Sequence, residues 1–297
     1  MRAAYLHLVS LLYASYFGIV NILDEKSAHI FSRAYLGLVL APLASIRRGN
    51  LEKFFGERYA DSNRLRQLDR ESRRYLVSIL CENARGGGRL ESFLDRNGLS
   101  GEEHLRDALS QGRGVMILGA HLGGFLHAYG GLSLRGYAVT NVSVKIPVAS
   151  IERHQNLLRR RFKVNSVFVG KNAALAAAKI FRTGGIFCIM IDLARRPEHI
   201  VWLPFGQTFI GLDDGPARLA VRFNVPVLPL TAYLQRPGHS QLVIGAPLPL
   251  PTGADEEERI RNTLVQWKNW LEGEVSAHPE QWWCWSFIDL GMPVAAK

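Results

Sequence analysis

Cysteine is scarce in this chain of 297 residues: three stand at positions 81, 188 and 284. Cys81, Cys188 and Cys284 are odd in number, far apart and without metal-ligand spacing. That excludes a disulfide framework and an encoded metal site, and reduced thiols in a cytoplasmic setting are the simplest reading. No glycine loop of the phosphate-cradling kind and no dinucleotide fingerprint occurs, so neither a cofactor nor a metal is expected. Internal repeats, low-complexity tails and any linker long enough to separate domains are absent too. Acidic residues are also in deficit. Lys and Arg number 36 against 26 Asp and Glu, a net charge of +10. Such a balance points to an anionic partner (membrane lipid, nucleic acid or an acidic carrier protein) or simply to a basic surface.

What is present describes a folded chain. The apolar fraction of 47% and charged fraction of 21% are those of a globular protein. The length suffices for one full core, alone or with an appendage. Residues 3–23, from Ala3 to Leu23, hold no side chain charged at neutral pH. They read as a spanning anchor, as a helix lying in the membrane interface, or as one of a pair of core helices. A signal peptide ranks last, because no small-x-small cleavage site follows. A second apolar stretch, Tyr35 to Ala44, is interrupted by Pro42 and is too short to span alone. Arg47, Arg48 and Lys53 come next, a natural contact for anionic headgroups. The expected division is therefore a helical membrane-associating segment over 1–46 and an α/β domain over 47–297.

The chain is organised around Gly114 to His127. A glycine-bounded apolar run, Val115 to Leu118, reads as a buried strand. His121 follows, then Gly123 and Gly124, then an apolar-periodic helix from Phe125 to Leu134. A polar ring where a strand yields to a helix lies at the carboxyl end of a sheet, where open α/β folds hold their ligands. Neutral imidazole accepts a proton from a hydroxyl or amine near pH 7. The two glycines let a substrate approach the backbone. The plainer reading of a lone histidine is structural.

On either side, apolar strands alternate with helices, which predicts a sheet covered on both faces. Residues 61–82 form an amphipathic helix with Arg64, Arg66, Arg70, Arg73 and Arg74 on its polar side. Ser100 with Glu103 has the capping-box spacing. Residues 149–163 form an arginine-rich helix. Asp214 stands where it can cap a helix with Pro216 in its first turn. Arg218 then either holds an anionic group bidentately or pairs with a carboxylate such as Asp192. In the helix Glu256 to Glu274, residues Ile260, Leu264, Trp267 and Leu271 make one apolar stripe.

Several motifs recur in one order. They are Glu103–His104–Leu105, Gly112–Arg113–Gly114, the strand and His121; then Val201 to Gly206, Gly215 to Ala220, Val225 to Leu230, and Pro279–Glu280–Gln281–Trp282. Over about residues 30–285 this pattern resembles the lipid A biosynthesis (lauroyl/myristoyl) acyltransferases of the lysophospholipid acyltransferase superfamily. The resemblance implies a central, mostly parallel sheet flanked by helices (glycerolipid acyltransferase-like) and a membrane-associated N-terminus. It implies a site at the cytoplasmic face of the bacterial inner membrane. It also implies that His121 deprotonates an acceptor hydroxyl, which attacks the thioester of an acyl carrier protein or of acyl-CoA. Two departures stand out. The family carries a carboxylate five positions after the histidine, where this chain has Leu126. It closes with a basic stretch where this chain has Ser286–Phe287–Ile288–Asp289. Asp192 is the first candidate to replace the missing acid and Glu198 the second. His127 points elsewhere on its helix. Lys145 falls where the family tends to carry an arginine near the reacting carbonyl, so it is the candidate oxyanion donor. An amine acceptor is an alternative that needs less base assistance. Three readings follow: an active acyltransferase acting on a lipid or specialised metabolite, an inactive homologue that binds lipid or carrier protein, and an aminoacyl-tRNA-dependent transferase.

Overall fold

The computed structural model describes residues 2–56, 62–86, 90, 92–194, 197–288 and 290–291. Seven strands form the main sheet: β1 (Asn97–Ser100), β2 (Val115–Gly123), β3 (Val139–Ser143), β4 (Asn165–Phe168), β5 (Ile186–Met190), β8 (Val227–Arg236) and β9 (His239–Ile244). Their order across the sheet is β1-β9-β8-β2-β5-β3-β4. All neighbours are parallel except β8 and β9, which are joined by the two residues Pro237 and Gly238. Such a short connection permits only an antiparallel return. A separate antiparallel hairpin joins β6 (Ile200–Phe205) to β7 (Thr208–Asp213).

The centre of the sheet is β2. Val115, Met116, Ile117 and Leu118 are all fully buried, because helices cover both faces and an unbroken apolar run satisfies both. One layer includes α9 (Lys171–Arg182), α10 (Gly215–Phe223) and α11 (Glu256–Ala277), whose Ile260, Leu264, Trp267 and Leu271 are buried as their spacing predicts. The other includes α6 (Glu102–Ser110) and α7 (Phe125–Leu134). At the N-terminus, α1 (Arg2–Ile22) and α2 (Glu25–Val39) pack on α4 (Ser62–Ala84) through Tyr16, Val20, Ala28, Leu36 and Val77. Among the described residues no single helix is long and apolar enough to cross a membrane, and the apolar part of α1, His7–Ile22, is shorter than such a span. A pair bent by 64°, Glu25–Val39 with Ala41–Phe55, passes by length and composition only.

Three local expectations are corrected. Ser100 caps nothing: it belongs to β1, and Gly101 precedes α6 without a side-chain cap. Asp214 precedes α10 in a helical conformation and does not cap it, because its carboxylate is taken by His199 and Arg218. Arg47, on α3 (Ala44–Phe55), is no headgroup contact: it is 3% exposed and donates to Asp69 at 2.8 Å.

Candidate active site

His121 and Asp192 meet because their strands are in register. β2 pairs with β5 in parallel, Gly119 opposite Met190. Two residues further on, His121 near the end of β2 meets Asp192 just past the end of β5, at the carboxyl edge of the sheet. The Asp192 carboxylate accepts the His121 backbone N–H at 2.8 Å on Oδ2 and lies 2.7 Å from His121 Nδ1 through Oδ1. A carboxylate at Nδ1 fixes the tautomer with the proton there, leaving the lone pair on Nε2. Trp282 Nε1–H donates to Oδ2 at 2.9 Å and the Cys284 thiol at 3.3 Å. Burial pushes the Asp192 carboxyl up, but the His121 charge and the hydrogen bonds from His121 and Trp282 outweigh it. The net effect holds the group below its ordinary value.

The imidazole is itself clamped. Its ring stacks on Trp283 at 5.5 Å between centroids and meets the edge of Phe125 at 4.9 Å. The side chain stays 19% exposed. It lines a cavity of about 1160 Å³ whose walls are mostly apolar, among them Leu36, Leu80, Phe125, Leu126, Ile189 and Trp283. That is at the upper end of small-molecule pockets, and such walls suit a hydrocarbon chain. Polar side chains interrupt these walls, and Asn141, Ser143 and Arg159 are among them.

The remaining sequence candidates divide. Leu126 lines the cavity, so an acid there would stand in an apolar wall. Glu198 is exposed on the turn Pro197–His199, and Asp192 occupies the Nδ1 position instead. Gly123 and Gly124 yield their space to the fold rather than to a ligand. Gly123 has φ +60°, and a Cβ there would fall 1.8 Å from the Ala232 carbonyl oxygen; one on Gly124 would fall 2.1 Å from Ser240 Oγ. Lys145 is exposed and lines a different depression, so it does not share the His121 cavity. Arg218 borders the cavity but pairs with Asp214 at 2.8 Å and bidentately with Glu257 at 2.6 and 2.9 Å, not with Asp192. His127 does point elsewhere: it is buried against Phe93 and Phe162.

Trp282, Trp283 and Cys284 escaped the sequence reading as site residues. Their signal was the closing Pro279–Glu280–Gln281–Trp282 motif, which brings the chain back so that Trp282 bridges Leu122 on β2. Among the described residues one group offers three metal-ligand atoms within 4.8 Å of one another, His121, Asp192 and Cys284. In the structure the Asp192 carboxylate is hydrogen-bonded to each of the other two.

No curated protein matches this chain. A family profile described as bacterial lipid A biosynthesis acyltransferase matches residues 4–285, nearly the whole length. The sheet with His121 at its carboxyl edge lies within that match, and the chain belongs to the bacterial lipid A biosynthesis acyltransferase family.

Proposed function

We propose that this protein moves an acyl group from a thioester donor to an acceptor on a lipid, with His121 as general base and Asp192 as the carboxylate that orients it. Family membership supports acyl transfer to a lipid acceptor. The observation that carries the finer reading is the His121–Asp192 pair on the wall of an apolar cavity. The missing acid at position 126 argued for an inactive homologue, and Asp192 supplies the same chemistry from the adjacent strand. A large apolar cavity also suits a fatty acyl chain better than an aminoacyl group.

In this reading Nε2 takes the proton of the acceptor hydroxyl or amine as its heteroatom attacks the thioester carbonyl. The imidazolium is stabilised by Asp192, which stays ionised. Collapse of the tetrahedral intermediate breaks the C–S bond. The leaving thiolate takes the proton back from Nε2, and the acyl ester or amide remains on the acceptor. Arg159, Asn141 and Ser143, which share the cavity, replace Lys145 as candidate donors to the oxyanion.

The N-terminal helices support a position on a membrane surface. Leu8, Leu11, Leu12, Ile19 and Ile22 of α1 are exposed, with Ile30, Leu38 and Val39 of α2. One of the polar interruptions in α1, Ser10, is half-buried, and a second, Asn21, is exposed but reaches α4. Ser10 meets Ser150, and Asn21 donates to the Ala84 carbonyl. His7, Ser15 and Asn21 are exposed as well, so the outward face of α1 is mixed, and its exposed leucines and isoleucines are what would enter an interface. We assign it to the cytoplasmic leaflet of the bacterial inner membrane, the side on which acyl thioesters are made.

The test is lipid and metabolite mass spectrometry of cells making the native protein or His121→Ala. An acylated product present with the native chain and absent with the folded variant is expected. An identical profile from both, with donor and acceptor present, would refute catalysis and favour the binding homologue.

A further inference from the structure

A row of cations borders the active-site cavity and, among the described residues, is not neutralised. Arg153, Asn156 and Arg160 follow at helical spacing on α8 (Ala149–Arg161), and Lys163 stands in the turn that closes it. At 1.5 Å per residue the row is roughly 15 Å long. All four line a depression of about 1200 Å³, together with Lys145 and Arg159. Among the described residues Lys145, Arg153, Arg160 and Lys163 form no ion pair. Glu152, the one acid that lines the depression among the described residues, is already engaged by the Ile146 N–H and by Arg159. Arg159, Ile146 and Val164 line both this depression and the His121 cavity, so the two spaces adjoin.

We propose that this row docks the acidic face of a carrier protein, which presents its acyl thioester to His121 past Arg159. The inference rests on the acyl-transfer reading above and adds where the donor binds. An extended line of exposed cations matches an acidic helix laid alongside it. The phosphates of a free nucleotide thioester call for convergent donors and a platform for the base. Among the described residues the one aromatic ring that lines the depression, Phe168, already lies 6.0 Å beneath the Arg159 guanidinium. The same shortage of free rings disfavours RNA.

The experiment is fluorescence anisotropy of a labelled, phosphopantetheine-bearing acyl carrier protein with the full chain in lipid nanodiscs. Arg153→Glu/Arg160→Glu is compared with Arg106→Glu/Arg261→Glu, which makes the same charge change elsewhere on the surface. Lys163→Glu is measured as an independent single variant. The row variant is expected to bind the carrier about tenfold or more weakly and the control within about twofold of native, with native binding weakened by added salt. Transfer from a minimal acyl-N-acetylcysteamine thioester stays at the native rate in every variant. Unchanged carrier affinity in both row variants overturns the proposal. So does a loss confined to coenzyme A or to RNA. A native protein that transfers from no donor refutes the acyl-transfer reading alone, because the anisotropy still decides the docking.

Discussion

Asp192 receives four donors, and each helps keep it ionised beside His121. Trp282→Phe removes one donor while keeping an aromatic ring against Phe205 and Trp285. Without it the carboxyl rises from its depressed value. Acid protonation then reaches Asp192 at higher pH, and the acid limb of kcat against pH moves up. The lost buried hydrogen bond costs about 1–3 kcal/mol of stability. A purely structural Trp282 would lower stability and leave the limb in place. At this scale the sequence was a partial guide. His121 and Asp192 were legible because each ends an apolar run, and parallel strands bring such ends together. Trp282 and Cys284 lie 90 and 92 positions beyond Asp192. Nothing local marks a contact made by the chain's return. Arg218 pairs with carboxylates, one of its two expected roles, but with Asp214 and Glu257 in place of Asp192, and Lys145 lines a depression beside the His121 cavity.

At the scale of elements, Gly123 joins β2 to α7 where the backbone touches β8. Gly123→Ala is expected to destabilise by about 3 kcal/mol or more, through a left-handed φ and a collision with the Ala232 carbonyl. Gly136→Ala, at φ +95° with no atom within 4 Å, carries only the backbone penalty, about 1 kcal/mol or somewhat more. Urea unfolding of the two variants separates clash from strain. The outward face of α1 gives a second prediction. Leu11→Asp with Ile22→Asp lowers cosedimentation with anionic vesicles about tenfold or more and leaves the urea midpoint near native, since both positions are exposed. Equal sedimentation would remove the membrane contact from this face. Most elements were readable, the central strands from apolar runs and the helices from 3.6-residue stripes. β1 and β7 were not, since Asn97–Ser100 holds a single large apolar residue and Thr208–Asp213 belongs to the separate hairpin. Helix starts were not, because Ser100 and Asp214 satisfy a capping pattern while tertiary partners decide their conformation.

For the whole molecule, buried titratable groups set a pH window. Burial pushes the His127 imidazole down to about 4. Below an unfolded value of about 6.5 the unfolded chain takes a proton that the fold refuses. Stability is therefore lost as pH falls from about 6.5 to about 4, by about 3 kcal/mol over the range. His29 works in the opposite direction. The Cys81 sulfur and then the Glu82 carboxylate raise it to about 9. Its contribution is complete below about 6.5 and disappears as pH rises through 9. Stability should therefore peak near neutrality. His127→Leu should flatten the acid side of urea stability plotted against pH; an unaltered acid slope would exclude His127 as its source. None of this was visible in the sequence, where His127 is one more residue on an apolar helix.

The central claim is that Asp192 supplies the carboxylate that the family takes from the helix after its histidine. The turnover of purified Asp192→Asn, relative to the native protein with the same donor and acceptor, tests it most directly. The amide keeps the shape and removes the charge that orients and stabilises the imidazolium. The expected result is a fall in kcat of about 10³–10⁴ with KM little changed and a native circular dichroism spectrum, by comparison with the amide variant of a serine protease triad. Turnover within about threefold of native would contradict it.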